Sequence, residues 1–338
     1  IDFCKKQVLK AAMMKSVPLL NNCSFEEVEN LITKALRSGA DNDFGYDYIK
    51  DFEDRFIEKA RNPVSTGWTK IDKITKGGLG SGELGVVIAP TGAGKSHVLV
   101  HLGAEALKQG KNVVHFTLEL SDTSVAARYD ACLTGINLDN LIVEKEAIYN
   151  KIKDIDGQLI VKEYPTKSVT TVSLKNHLEK IRQTQMEIDM VIVDYGDLLR
   201  STTNRKNAEK RHELESIYEE LRGIAQELGC PVITASQTNR KGLNEEVITM
   251  ESISEAFNKC FVADFIISLS RTIKDRNCNI GRLFVAKNRN GPDGIIYSIF
   301  MDTGTVKIKV LEQDDVVEIQ KQERAKKAKS DMAAARRV

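Results

Sequence analysis

"LGVVIAPTGAGKS", residues 84–96, runs from an unbroken apolar segment through a glycine-rich turn into the start of a helix. The short apolar run reads as a buried strand, and "KSHVLVHLGAEALKQG" behind it as a helix stopped at Gly110. Between them, Gly92 and Gly94 let backbone N–H groups converge on phosphate oxygens. Lys95 adds a point charge at the β- and γ-phosphates, and the Ser96 hydroxyl can ligate Mg²⁺. Pro90, Thr91, Gly92, Ala93, Gly94, Lys95 and Ser96 thus form a candidate nucleotide cradle. Ala89 stands where the common pattern has glycine, a small departure if that residue keeps strand dihedrals. A glycine-rich turn capped by Ser96 would not need Lys95.

Outward from this turn the chain alternates strand and helix. "NVVHFTLE", "DMVIVDY", "PVITASQ", "ADFIISLSR" and "GRLFVAKNR" read as further strands, completing the set with "LGVVIA". Helices are expected through "SVAARYDACL", near 172–186 and over "LESIYEELRGIAQELG". Short apolar strands separated by helices predict an α/β fold with a mostly parallel, doubly wound sheet covered on both faces.

Three strand ends then carry chemistry. Asp194, closing "VIVD", can hold the water shell of Mg²⁺. Glu119, at the end of the strand after the cradle helix, can polarise water for attack on a γ-phosphorus. Gln237, a neutral amide on another tip, can bond a phosphate on one side and a loop on the other. His97 and His101 have the i, i+4 spacing of a zinc pair, but Val98 occupies the position of a protease glutamate and no third ligand is evident. Core or surface histidines are the expected reading.

Composition sets limits. With 41% apolar and 29% charged residues and a net charge of +1, the chain is ordinary for a globular protein, and nucleic-acid contact must come from a few placed cations. The exception is the tail from Lys321 to Val338, with seven Lys/Arg against two Asp/Glu. The six cysteines are scattered, which suits reduced thiols in a cytosolic compartment. No membrane span or signal peptide is expected, and the start at Ile1 suggests that an N-terminal segment is missing. "SFEEVENLITKALRSGA" (24–40) predicts an amphipathic helix that Ser24 and Glu27 cap as a box, and whose stripe needs a partner surface. In "VAKNRNGPDG" (285–294), Lys287 and Arg289 leave a strand end one residue apart, point the same way and repel. An anion should oppose them, and none is visible nearby in the sequence.

"GWTKIDKITKGGLGSGELGVVIAPTGAGKS", "FTLELS", "VIVDYGDLL", "ITASQTNR" and "AKNRNGPDG" occur in the order found in hexameric replicative helicases of the DnaB type, and this chain resembles that family over roughly 60–300. The wording is most similar to bacteriophage members. Gly196 and Asp197 depart from the pattern, which usually has bulkier or uncharged residues there. The resemblance implies a RecA-like motor at 61–311, after an N-terminal remnant and subunit-docking linker at 1–60 and before a basic tail at 312–338. It implies that Lys95 and Ser96 bind ATP·Mg²⁺, Glu119 is the catalytic base, Asp194 the metal-holding acid and Gln237 the sensor joining the γ-phosphate to DNA. Arg128 matches a position near the adenine. Lys287 and Arg289 match a pair that reaches the neighbouring subunit's ATP site, the arginine as a finger on the transferring phosphoryl group.

The connections "RSTTNRKNAEKRHELES" (200–216) and "TNRKGLNEEVITMES" (238–252) face the channel in such motors. Arg205, Lys206, Arg211, Arg240 and Lys241 are the candidate phosphate contacts, and the lack of aromatic residues there argues for backbone gripping without stacking. The implied protein is a homo-hexameric DNA helicase moving 5′→3′ on single-stranded DNA, with primase and a helicase loader as possible partners. It would act in a cytoplasm, that of a bacterial host if phage-encoded. The competing functions are a strand-exchange recombinase and an ATP-gated scaffold without a DNA role.

Overall fold

The computed structural model describes residues 61–201, 210–238 and 260–312, with eight scattered positions before Arg61. The chain divides into two compact units, Ile1–Ala60 and Arg61–Val338, and the site lies in the second. That unit begins with α1 (Thr69–Ile74), β1 (Leu84–Ala89), α2 (Lys95–Lys108), β2 (Val113–Thr117), α3 (Asp122–Thr134), α4 (Lys145–Ile152) and β3 (Leu159–Glu163). It continues with α5 (Thr171–Gln183), β4 (Met190–Asp194), α6 (Lys210–Leu228), β5 (Val232–Gln237) and β6 (Phe265–Ser270). The last elements are α7 (Ile273–Asn277), β7 (Ile280–Asn288), β8 (Ile296–Asp302) and β9 (Lys307–Val310).

Among the described residues the strands form one sheet in the order β3-β2-β4-β5-β1-β6-β7-β8-β9. The run from β3 to β6 is parallel, and β7, β8 and β9 are added antiparallel. The sheet is therefore mostly parallel, as the alternating pattern predicts.

Side-chain alternation along β1 explains the layering. Val87 and Ala89 share one core with Val98, Leu99 and Leu102 of α2. Leu84, Val86 and Ile88 face the other, with Leu174 and Leu178 of α5 and Tyr218 and Leu221 of α6. All six residues of β1 are buried, so an apolar run without polar alternation is what two covered faces require. Each buried Leu, Val or Ile among them contributes on the order of 1.5–3 kcal/mol.

The helix that starts at Lys95 also lies very close to the sheet. A Cβ on Gly103 would fall 2.1 Å from Tyr129 Oη and 2.9 Å from Ile192 Cδ1. Tyr129 is fixed in turn by its hydrogen bond to His115 Nδ1 at 3.0 Å. Only glycine lets α2 approach β4 this closely, and β4 is the strand that ends in Asp194.

Three strands go beyond the six that the sequence suggests. β3 is an edge strand, half-buried to exposed, and lacks the apolar run that marks the others. β8 and β9 lie in antiparallel hairpins, where polar residues interrupt the pattern. Boundaries shift too: α6 starts at Lys210, α5 ends at Gln183, and β2 ends at Thr117, short of Glu119. The amphipathic segment 24–40 lies outside the described residues except for Val28, and so does the tail beyond 312. Among the described residues no helix is long and apolar enough to cross a membrane.

Candidate nucleotide-binding site

Strand register gathers the predicted tips at one edge. Ala89 at the end of β1 pairs with Gln237 at the end of β5, and Thr117 at the end of β2 pairs with Asp194 at the end of β4. The glycine-rich turn leaves β1 at this edge. Gly92 and Gly94 have φ of 73° and 112°, conformations that favour glycine. Gly94 is also the N-cap of α2, with no side chain capping the helix end. That leaves first-turn N–H groups and the positive helix end available to an anion.

Lys95 is buried, and burial lowers its pKa, while Glu119, Asp194 and Asp197 draw it back up. Its Nζ lies 5.3 Å from the centroid of the Tyr195 ring. Asp194 is fully buried, and neither carboxylate oxygen has a hydrogen-bond partner. Burial pushes its pKa up to about 6, and Glu119 adds to the rise. The Ser96 hydroxyl, Lys95 and Arg128 pull the other way, although the Ser96 contact falls short of good hydrogen-bond geometry. Two orphaned carboxylate oxygens beside Ser96 and Lys95 fit a hydrated divalent cation.

This carboxylate has a consequence for stability. Its folded pKa lies above the ordinary 3.8, so its contribution is complete below about pH 4 and lost as pH rises through about 6. Asp194→Asn is expected to raise the melting temperature of the nucleotide-free protein by several degrees at pH 7.5, equivalent to about 2–3 kcal/mol. The gain should shrink towards zero near pH 4. Melting curves across that range check it, and an equal shift at both ends would contradict the assignment.

Gln237 joins the cradle to the Asp194 strand. Its Nε2 donates to Thr91 Oγ1 at 2.6 Å, and its Oε1 accepts from Tyr195 Oη at 3.1 Å. Its backbone N–H donates to Asp197 Oδ2 at 3.1 Å. Asp197 also accepts from Tyr218 Oη at 2.7 Å, and Gly196 N donates to Thr234 Oγ1 at 2.9 Å. A Cβ on Gly196 would meet Thr234 Oγ1 at 3.2 Å and Tyr218 at 3.4 Å. The two departures from the family pattern are thus matched to Tyr218 and to the Gln237 backbone.

Glu119 is exposed, two residues past the end of β2 rather than on the strand as expected. Its charge acts on Lys95, Asp194 and Arg128, so it faces the same centre. Arg128, on α3, is partly buried, and burial lowers its pKa against the pull of Asp194 and Glu119. His97 is pushed down to about 4 by burial, then by Arg128 and Arg271. His101 bonds Thr66 O at 3.2 Å and stacks on Trp68 at 4.6 Å, a core histidine. Among the described residues no group of three or more His, Cys, Asp or Glu could hold a metal.

Lys287 and Arg289 are not brought to this edge. β7 runs antiparallel to β6, and Asn288 pairs with Phe265, the first residue of β6. The pair therefore sits at the opposite end of the sheet, about 20 Å from the cradle for a six-residue strand. The absence of an anion nearby is corrected by the structure. Arg289 Nη1 lies 3.3 Å from Asp264 Oδ1. The same carboxylate accepts from Arg222 Nε and Nη2, each at 3.1 Å, and from Leu84 N at 3.0 Å. Lys287 Nζ donates to Phe261 O at 2.5 Å and lies 4.5 Å from that ring's centroid. Burial and then Arg289 lower its pKa, which bears out the mutual repulsion.

Sequence reasoning misses Tyr195, whose position directly after Asp194 is the available signal, and Asp264, an acid at the start of an apolar strand. Arg205, Lys206, Arg240, Lys241 and the side chain of Arg211 lie outside the described residues.

A family model for the DnaB-like helicase C terminal domain matches residues 63–307. A DnaB-like replicative helicase of Enterobacteria phage T4 is 29% identical over 258 residues, covering 72% of this chain and 54% of that protein. Replicative DNA helicase DnaB of Mycoplasma genitalium is 27% identical over 280 residues, covering 74% and 58%. The chain thus spans somewhat more than half the length of these relatives. A DnaB-like replicative helicase described with its interactions with primase superposes with a TM-score of 0.67 at 17% identity, over 92% of this chain and 77% of that one. A second solved structure, described as an ATPase domain, gives 0.65 at 18% identity, over 78% and 97%. These two structures share the fold.

Proposed function

The chain belongs to the DnaB-like helicase C-terminal domain family, and from that premise we propose that it is an ATP-driven replicative DNA helicase working as a homo-hexameric ring on single-stranded DNA. The observation that carries this reading is the convergence of Lys95, Asp194 and Gln237 at one sheet edge, with Gln237 bonded to both Thr91 and Tyr195. Residues 61–311 form the motor, 1–60 the docking linker and 312–338 a basic tail. Primase and a loader are the expected partners, and movement is 5′→3′.

In this reading the residues from Pro90 to Ser96 cradle the triphosphate, Lys95 neutralises its β- and γ-oxygens, and Arg128 lies by the base. Ser96 and the two free oxygens of Asp194 hold hydrated Mg²⁺. When bound, the metal neutralises charge developing on the phosphoryl oxygens. Glu119 orients a water and accepts its proton. Gln237 exchanges its Thr91 partner for a γ-phosphate oxygen, and the change passes through β5 into the connection that starts at Thr238. Lys287 and Arg289 complete the pocket of the next subunit, because their own lies at the far end of the sheet.

A forked duplex with a 5′ tail tests the whole reading. Strand separation should require hydrolysable ATP, and single-stranded DNA should raise ATP turnover. Turnover indifferent to DNA would point to a scaffold, and strand pairing without unwinding to a recombinase.

A further inference from the structure

Beside the phosphate cradle, α7 places one guanidinium whose Nε has no hydrogen-bond partner among the described residues. A Cβ built on Gly92 would lie 3.6 Å from Arg276 Nη1, so this side chain borders the turn itself. Arg276 Nε is shielded from solvent and has no hydrogen-bond partner. The acid next to it is already engaged: Asp275 Oδ2 accepts from Arg282 Nη1 at 2.9 Å and from Thr272 N at 2.8 Å. Thr272 and Asp275 close a capping box on α7, which fixes the turn that carries Arg276.

A second cation, Arg271, lies within its field. Arg271 is buried and donates to Ile280 O at 3.0 Å and Met301 O at 3.2 Å, both neutral carbonyls. Burial lowers its pKa and Arg276 lowers it further, so the two guanidiniums repel, while Asp275 and Asp302 draw it back up. The same field reaches His97 on the first turn of α2, where Arg128 and Arg271 add to the effect of burial. The Arg276 donor, stripped of water and unpaired, is unfavourable until an acceptor arrives, because a buried unsatisfied donor keeps its desolvation cost.

We propose that Arg276 is a phosphate-binding residue of its own subunit, donating to the polyphosphate chain of a nucleotide seated on the turn at Gly92. This assignment rests on the nucleotide reading of the cradle. It differs from the role given to Arg289, which acts on a neighbour's nucleotide and lies at the other end of the sheet. Arg276 approaches from α7, on the side of the turn opposite β5.

Titration of the full chain with ribose-labelled ATP, ADP and AMP, read by fluorescence, tests it. Arg276→Ala should weaken ATP and ADP binding about ten- to a hundred-fold, the scale of a charged hydrogen bond. AMP binding should change far less, Arg276→Lys should recover part of the loss, and the nucleotide-free melting temperature should stay within a degree or two. Arg276→Gln, read the same way, serves if the alanine variant does not fold. ATP affinity within twofold of wild type in either variant would overturn the proposal. So would equal losses for all three nucleotides accompanied by a lowered melting temperature, the mark of a purely structural role. If the wild type binds none of the three, and Lys95→Ala matches it, the nucleotide reading itself fails and takes this assignment with it.

Discussion

Arg289→Ala should lower ATP turnover of the assembled protein by about 10³–10⁵-fold, the scale of losing an arginine finger. The physical reason is distance. The end of β7 and the cradle after β1 lie at opposite ends of a fully buried six-residue strand. No rotamer of Arg289 crosses that span of about 20 Å. Its side chain is 44% exposed, which leaves it accessible to a second copy. The loss should therefore depend on assembly. Mixing Arg289→Ala with Glu119→Gln copies creates interfaces where an intact site meets an intact finger, and turnover there should partly return. Mixtures that stay inactive at every ratio would argue that the arginine serves its own pocket or none.

Glu119→Gln should reduce turnover by about 10²–10⁴-fold, the range for removing a positioned general base. The amide can still hydrogen-bond the attacking water but cannot take its proton. Affinity for the labelled nucleotide should change only a few-fold, because in the proposed site Lys95, Arg276 and the backbone of the cradle would make the binding contacts. Steady-state phosphate release alongside nucleotide titration separates the two effects. A variant that loses binding and turnover together would place Glu119 in the cradle rather than at the reacting water.

The fold is legible where burial is two-sided. β1 and β4 are nearly unbroken apolar runs because helices cover both faces, and such runs are visible in sequence. β3, β8 and β9 are not, since edge and hairpin strands keep polar residues on a solvated face. Lys95, Asp194 and Gln237 can be placed because parallel strands deliver their C-terminal ends to one edge, whatever the exact register. Glu119 can be assigned to that edge but not to its turn, which departs from the β2 ladder at Thr117. Asp264 is out of reach. Its partners Arg222, Arg289 and Leu84 come from three elements distant in sequence, and only the packed sheet brings them together. Arg276 escapes notice for the same reason, as a cation in a polar stretch signals nothing until the turn at Gly92 is seen beside it.

The carboxylate of Asp264 is over-supplied with donors. Arg222 alone grips both of its oxygens, and Leu84 N adds a third bond. Arg289 can swing away without abandoning a lone negative charge in the interior, so its departure costs far less than breaking an isolated buried pair. In the proposed assembly, a free copy would keep this arm folded against its own flank, electrically quiet, and extend it when a neighbour offers a richer source of negative charge.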